Sequence, residues 1–159
     1  MSSTLLQPWI RWLIRRDTQE ALAIDAASFA DPLSETDLIA LLRQRNVIAM
    51  VVEYQERVVG YVVYELHKHR LNIIRLAVHP DFRRTSMATI MLEKIKGKLY
   101  GTGRYSQERT AVTCSVPDDN LPAHLLLKSC GFVCIGVKRK FRDADQYEFI
   151  FDRSWVDVS

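Results

Sequence analysis

The chain has 159 residues, of which 48% are hydrophobic and 26% charged, and its formal charge at pH 7 is +3. This length and apolar content support one domain with a sizeable core and leave too little chain for two ordinary ones, so residues 1–159 read as a single domain with its core at about 10–153. A charge of +3 lacks the dense basic stripe of a nucleic-acid protein but suits an anionic small-molecule partner. No stretch reaches the ~18 apolar residues of a membrane span, and the first residues lack the basic start and apolar run of a signal peptide, which makes the cytoplasm the expected location. Cys114, Cys130 and Cys134 fit neither a disulfide framework nor a zinc site by spacing and read as free, mostly buried thiols.

In chain order, Ile10 to Arg16 predicts a first strand, and Asp17 is placed to cap a helix that runs to about Phe29. Pro32 breaks that helix. Ser34-Glu35-Thr36-Asp37 has the form of a capping box opening a second helix with Leu38, Ile39, Leu41 and Leu42. Val47 to Tyr54 and Val58 to Leu66 predict a hairpin about Gln55-Glu56-Arg57, and Asn72 to Val78 a third strand in series.

After Pro80 the period turns helical: Ala88, Met91, Leu92, Ile95 and Leu99 share a face between Arg84 and about Tyr100, with Gly101 and Gly103 as the stop. Thr110 to Val116 predicts a strand. Pro117 to Asn120 forms a turn that caps a helix over Leu121 to Ser129, and Gly131 ends it. Phe132 to Phe141 and Gln146 to Asp152 complete the order β-α-α-β-β-β-α-β-α-β-β, an α/β class with a mixed sheet and helices on its faces.

The strand ending at Val78, the Pro80 turn and a helix starting near Thr85 together make an anion site, because N–H groups at a helix start are unpaired and carry the positive end of the helix dipole. Arg83 and Arg84 add charge there. An ordinary connection with two solvated arginines is the competing reading of the geometry alone.

The run Leu76-Ala77-Val78-His79-Pro80-Asp81-Phe82-Arg83-Arg84-Thr85-Ser86-Met87-Ala88 resembles the (Arg/Gln)-x-x-Gly-x-(Gly/Ala) signature of the GNAT family of N-acetyltransferases, and Asp119-Asn120-Leu121-Pro122-Ala123 with Lys128-Ser129-Cys130-Gly131-Phe132 resembles its Asn-x-x-Ala…Gly-Phe element. The resemblance spans roughly Ile10 to Phe151. Within the family it is closest to the RimI-like enzymes that acetylate protein N-termini, through Pro32-x-Ser34, Gly60 to Lys68 and Tyr147. It implies acetyl-CoA as co-substrate. Leu76, Ala77 and Val78 would pair with the pantetheine arm, Arg83, Arg84, Thr85, Ser86, Met87, Ala88 and Thr89 would surround the pyrophosphate, and Asn120 and Ala123 would border the pantetheine and sulfur. The acceptor it implies is the N-terminal α-amine of a protein or peptide, a ribosomal protein among the candidates, by direct attack on the thioester.

Three positions depart from that pattern. Ser86 stands where the signature has its first glycine, so its Cβ is expected to weaken pyrophosphate binding without abolishing it. The RimI-like enzymes carry a glutamate base and a tyrosine acid at positions matched here by Ser115 and Leu127, and a serine is no base without a partner. Tyr147 and His79 are the substitute candidates, each with a plain structural alternative as a packed aromatic and a solvated turn residue. An α-amine, with a pKa near about 7.8 against about 10.4 for lysine, tolerates a weaker base.

A domain that binds CoA or a partner without turnover is the alternative function, and a small-molecule amine the alternative acceptor. His67-Lys68-His69-Arg70 has two histidines but no third ligand nearby, so it reads as a solvated basic turn and no metal is expected. Lys138, Lys140 and Arg142, with Arg139 between them, are expected to alternate along the strand and expose one basic face; contact with RNA through it is a minor expectation.

Overall fold

A computed structural model describes residues 7–101, 108–140 and 144–155. In chain order the elements are β1 (Trp9–Trp12), α1 (Thr18–Ser28), α2 (Glu35–Leu42), β2 (Val47–Tyr54), β3 (Arg57–Leu66), β4 (Arg70–Val78), α3 (Met87–Gly97), β5 (Ala111–Pro117), α4 (Leu121–Ser129), β6 (Val133–Lys138) and β7 (Gln146–Asp152). This is the order predicted from the sequence. The strands follow one another in the sheet as β1-β2-β3-β4-β5-β7-β6, parallel between β4 and β5 and antiparallel between β1 and β2, β2 and β3, β5 and β7, and β6 and β7. Among the described residues no helix is long and apolar enough to cross a membrane.

Two compact units divide these elements. One runs from β1 through Glu65 and takes in Arg75–Met91; the other takes Leu66–Ile74 and the described residues from Leu92 onward.

In the first unit, β1 ends four residues earlier than the sequence predicts. Arg11 turns the chain round by donating to both Asp17 (2.7 and 3.0 Å) and Glu53 (3.0 Å), and Arg15–Asp17 becomes a short 3-10 helix. Asp17 therefore does not cap α1 with its side chain. Its carboxylate accepts from Arg11 and from the Ile14 N–H (2.8 Å) instead. The Ser34–Asp37 capping box forms as predicted, with Asp37 N–H on Ser34 Oγ at 3.0 Å and Ser34 N–H on the Asp37 carboxylate at 3.2 Å. The β2–β3 hairpin closes through Gln55 and Glu56, both at positive φ (53° and 63°), while Tyr54 pairs with Arg57. Gly60 matters for packing: a Cβ there would stand 3.1 Å from Met91 Cε and 3.3 Å from the Ala77 carbonyl oxygen.

A buried carboxylate, Asp25, organises this unit. It accepts from the Tyr61 hydroxyl, from Arg75 Nε (2.9 Å) and NH2 (3.1 Å), and from the Leu33 N–H (2.6 Å). Arg75 also donates to the Asp31 carbonyl (2.8 Å) and lies over the Phe29 ring at 3.9 Å. Burial on its own pushes the Asp25 carboxyl up, but the bonds from Arg75, Tyr61 and Leu33 outweigh it and hold it below the ordinary carboxylate range.

In the second unit, β5 pairs with β7 along its whole length and β7 with β6, which is the edge strand. Phe149 and Phe151 are buried on the same side of β7, and Lys96 from α3 spans to both the Phe151 ring (4.4 Å) and the Cys130 carbonyl (2.7 Å). Gly131, at φ 88°, ends α4 as expected; Phe132 N–H bonds the Leu127 carbonyl at 2.9 Å and Gly131 N–H that of Lys128 at 3.1 Å. The three cysteines are unpaired, with Cys130 buried and Cys114 and Cys134 only half-buried. β6 stops at Lys138, short of the predicted Phe141, because Lys140 N–H and the Arg139 guanidinium turn to Asp145. The alternating basic face therefore does not extend past Lys138 in the strand; Phe141 and Arg142 lie outside the described residues, as does Gly103.

The Asp25 site has a measurable pH signature. Because its carboxyl is held below the unfolded-state value, its contribution is complete above about pH 4 and is lost as the pH falls through the folded-state pKa. Urea unfolding followed across the acid range is expected to show a steeper loss of stability for the parent than for Asp25→Asn. Near neutral pH, Asp25→Ala is expected to cost about 3–5 kcal/mol, since it strands the Arg75 guanidinium, whose side chain is only 19% exposed.

Candidate active site

The loop between β4 and α3 is built by local constraints that the sequence only partly displays. His79 follows Val78, donates its N–H to the Val59 carbonyl (2.8 Å), and accepts the Asp81 N–H on Nδ1 (3.1 Å), starting a 3-10 turn over Pro80–Phe82. With Nδ1 accepting, the neutral ring carries its proton on Nε2. His79 therefore has a structural task as a turn cap, and its ring meets Phe82 edge-on at 5.8 Å.

Arg84 then takes a left-handed conformation, φ 63°, which is uncommon outside glycine, and this keeps the helix from starting near Thr85 as predicted. Thr85 Oγ1 donates to the Phe82 carbonyl and accepts the Met87 N–H at 3.5 Å. Ser86 occupies the N-cap of α3, its carbonyl accepting from Ile90 N–H at 2.9 Å. Its φ is not in the positive range, so the backbone does not demand glycine, and serine is a favoured N-cap residue. The remaining argument for glycine at this position is steric.

The two arginines of the loop behave differently. Arg83 folds back, donating to the carbonyls of Val78 (3.2 Å) and Ala27 (3.1 Å) and to Ser28 Oγ (3.0 Å), so its guanidinium pins the loop to β4 and α1. Arg84, Thr85 and Ser86 are exposed. Ala88 and Thr89, in the first turn of α3, have N–H groups without an intrahelical acceptor. Exposed hydroxyls, the exposed Arg84 beside an Arg83 that is exposed but bonded to the loop, and a helix start form a set that fits a pyrophosphate.

Residues of the second unit supply other predicted positions. Asn120 caps α4, accepting the Ala123 N–H at 3.3 Å, as the Asn-x-x-Ala spacing requires. Leu127 is a buried core residue, 4% exposed. Tyr147 lies on β7 with its ring edge-on to His124 at 5.0 Å, and His124 in turn meets Phe149 and bonds the Pro117 carbonyl through Nε2 (2.9 Å). Among the described residues no group of three His, Cys, Asp or Glu side chains is arranged to hold a metal; His67 and His69 use backbone carbonyls to accept from Arg109 (2.7 Å) and the Thr110 N–H (3.0 Å).

Ser115 has a partner that reading the sequence alone missed. It stands directly opposite Glu148 in the β5–β7 ladder, and its hydroxyl donates to Glu148 Oε2 at 2.5 Å. Neighbouring Cys114 has its thiol pushed up to about 12, by burial first and then by the Glu148 charge, so it stays protonated at neutral pH and is no nucleophile. The signal for Glu148 was present only as an acidic residue inside an otherwise aromatic and aliphatic strand; the register that brings it to Ser115 is not readable from one strand.

Ser86→Gly tests the steric argument. Since glycine at an N-cap costs only a few tenths of a kcal/mol relative to serine, the variant is expected to unfold almost as the parent does, yet to bind acetyl-CoA more tightly in calorimetric titration. An affinity that does not rise refutes the role given to the Ser86 Cβ.

The Acetyltransferase (GNAT) family model matches residues 9–132. No curated protein matches the chain. Among solved structures, the ribosomal-protein-S18-alanine N-acetyltransferase of Escherichia coli superposes with a TM-score of 0.80 at 17% identity, covering 92% of this chain and 94% of that one. NAA60 of Arabidopsis thaliana in complex with acetyl-CoA gives 0.79 at 15% identity over 92% and 99%. Spermidine/spermine N-acetyltransferase SpeG of Vibrio cholerae gives 0.73 at 17% identity over 96% and 97%. At these identities the likeness is one of fold, and the alternative of a binding domain without turnover gains no support from it. With the family model matching from β1 through Phe132, across the loop before α3 and the Asn120 cap, the chain belongs to the GNAT family of acetyl-CoA-dependent N-acetyltransferases.

Proposed function

We propose that this acetyltransferase acts on the N-terminal α-amine of a protein or peptide, with Leu76 to Val78 and the Arg83 to Thr89 loop holding acetyl-CoA. The observation that carries the cofactor half is the start of α3. A left-handed Arg84 and an N-cap Ser86 set the start of α3, where the Ala88 and Thr89 N–H groups have no intrahelical acceptor, while Arg83 is spent on holding the loop in place. Arg84 is then the cation that meets the phosphates, and Arg83 contributes through the loop's shape.

The acceptor half rests on acid–base chemistry. Leu127 cannot give a proton, His79 has Nδ1 occupied as a turn cap, and no histidine or carboxylate stands at position 115 itself. An enzyme so furnished favours an amine that is already partly neutral. About a tenth of α-amines are neutral at pH 7, against fewer than about 0.001 of lysine side chains. The E. coli neighbour, an S18-alanine N-acetyltransferase, supports the same choice by analogy of fold.

CoA release measured with a panel of acceptors tests the proposal. Peptides with a free N-terminus are expected to be acetylated faster than the same peptides blocked at the N-terminus but retaining lysine, and faster than spermidine. Preference for polyamine or lysine would overturn the α-amine reading. Mass spectrometry of the product is expected to place the acetyl group on the first residue.

A further inference from the structure

We infer that Arg75 and Arg83 are paired positioning residues for acetyl-CoA, clamping both ends of the stretch 76–82 to the end of α1. Arg75 immediately precedes Leu76, and Arg83 immediately follows Phe82. Between them lie the strand end assigned above to the pantetheine arm and the Pro80–Phe82 turn that leads toward α3.

The two guanidiniums finish on the same short piece of chain. Arg75 donates to the Asp25 carboxylate through Nε (2.9 Å) and NH2 (3.1 Å), donates to the Asp31 carbonyl (2.8 Å) and covers the Phe29 ring at 3.9 Å. Arg83 donates to the Ala27 carbonyl (3.1 Å) and to Ser28 Oγ (3.0 Å), while its Nε returns to the Val78 carbonyl at 3.2 Å. The middle of the stretch is tied to β3 by the His79 N–H on the Val59 carbonyl (2.8 Å), and α1 packs against the Pro80–Phe82 turn. Sheet and helix thus hold the middle, and the arginines hold the ends.

The chemistry at the end of α1 explains why two cations meet there. A helix C-terminus carries unpaired carbonyls and the negative end of the dipole, and α1 has no basic residue of its own in its last turn. Asp25 adds a buried carboxylate at that same end, where the dipole disfavours negative charge. Cations have to come from elsewhere in the chain, and β4 and the loop after it supply them. The anchor they reach is firm. Ser28 Oγ donates to the Ile24 carbonyl (2.6 Å), Phe29 N–H bonds the Asp25 carbonyl (3.1 Å), and the Asp25 carboxylate also takes the Tyr61 hydroxyl and the Leu33 N–H.

The clamp delivers position, not charge. A long, flexible ligand is bound well by backbone that already has one geometry, because the freedom lost on binding is then the ligand's alone. With one anchor removed, the stretch can pivot about the other, so most of the benefit is lost with the first. The two arginines are therefore expected to act jointly.

The clamp rests on the reading above that this stretch and the loop after it hold acetyl-CoA, and not on which amine is acetylated. Calorimetric titration of the full chain with acetyl-CoA at several salt concentrations tests it, with circular dichroism to confirm folding. Arg84→Gln is the reference for a cation that meets phosphate: about tenfold weaker binding and a flatter salt dependence are expected. Arg83→Gln and Arg83→Lys are both expected to bind about three- to tenfold more weakly with the salt dependence of the parent, since a lysine ammonium lacks the fork that reaches Val78, Ala27 and Ser28 together. Arg75→Lys is expected to weaken binding to a similar degree, and Asp25→Asn takes its place if Arg75→Lys does not fold. Combined with Arg83→Lys, either is expected to lose less than the product of the two single losses.

An Arg83→Lys protein that binds as the parent does overturns the clamp. So does a salt dependence that flattens in Arg83→Gln as in Arg84→Gln, which would make Arg83 a phosphate ligand, and so do losses that simply multiply in the double variant. Arg84→Gln at the parent's affinity overturns the pyrophosphate reading of the loop, while the Arg75 and Arg83 variants still decide the clamp. A parent that binds no acetyl-CoA overturns both.

Discussion

The Asp25 carboxylate is the fixed point from which the loop before α3 takes its position. It sits at the end of α1 and gathers Tyr61 from β3, Arg75 from β4 and the chain at Leu33, so three segments distant in sequence are held by one anion. The last turn of α1 then offers Ala27 and Ser28 to Arg83, which carries the restraint into the loop before α3. Polar groups tied in this way are costly to disturb, because removing one leaves the others buried and short of a partner. For the pyrophosphate-holding role proposed for this loop, a support that keeps its N–H groups in place without reorganising is what that role asks for.

Within that loop the arginines divide their work in a way that composition could not show. Two adjacent arginines before a helix suggest two charges for a phosphate; both are exposed, yet Arg83 is held by Val78, Ala27 and Ser28 while Arg84 stands on a left-handed backbone. Ser86 shows the converse. A departure from the glycine of the family signature sits at the N-cap of α3, where the backbone φ does not require glycine. Each residue is understood through its torsion and partners more than through its place in a motif.

How much could be read in advance follows from the range of the forces involved. The Ser34–Asp37 capping box, the Asn120 cap and the Gly131 stop are settled within four or five residues, and all three were legible. The end of β1 was not, because Arg11 reaches Asp17 and Glu53 across the fold. The start of α3 was misplaced because a non-glycine residue adopts a left-handed turn, which propensity argues against. Glu148 was missed for a different reason. Its meaning depends on the register of β7 against β5, and a single-residue slip would have put Tyr147 in its place.

The hairpin between β2 and β3 bends through Gln55 and Glu56, two residues with side chains in a conformation that glycine or asparagine would enter at less cost. Such a turn cannot lead its strands together; it has to be imposed by them. The long Val-rich pairing of Val47 to Tyr54 with Arg57 to Glu65 sets the register first, and the turn is closed against its own preference. The tip is accordingly the part of this hairpin whose native geometry has the least local support.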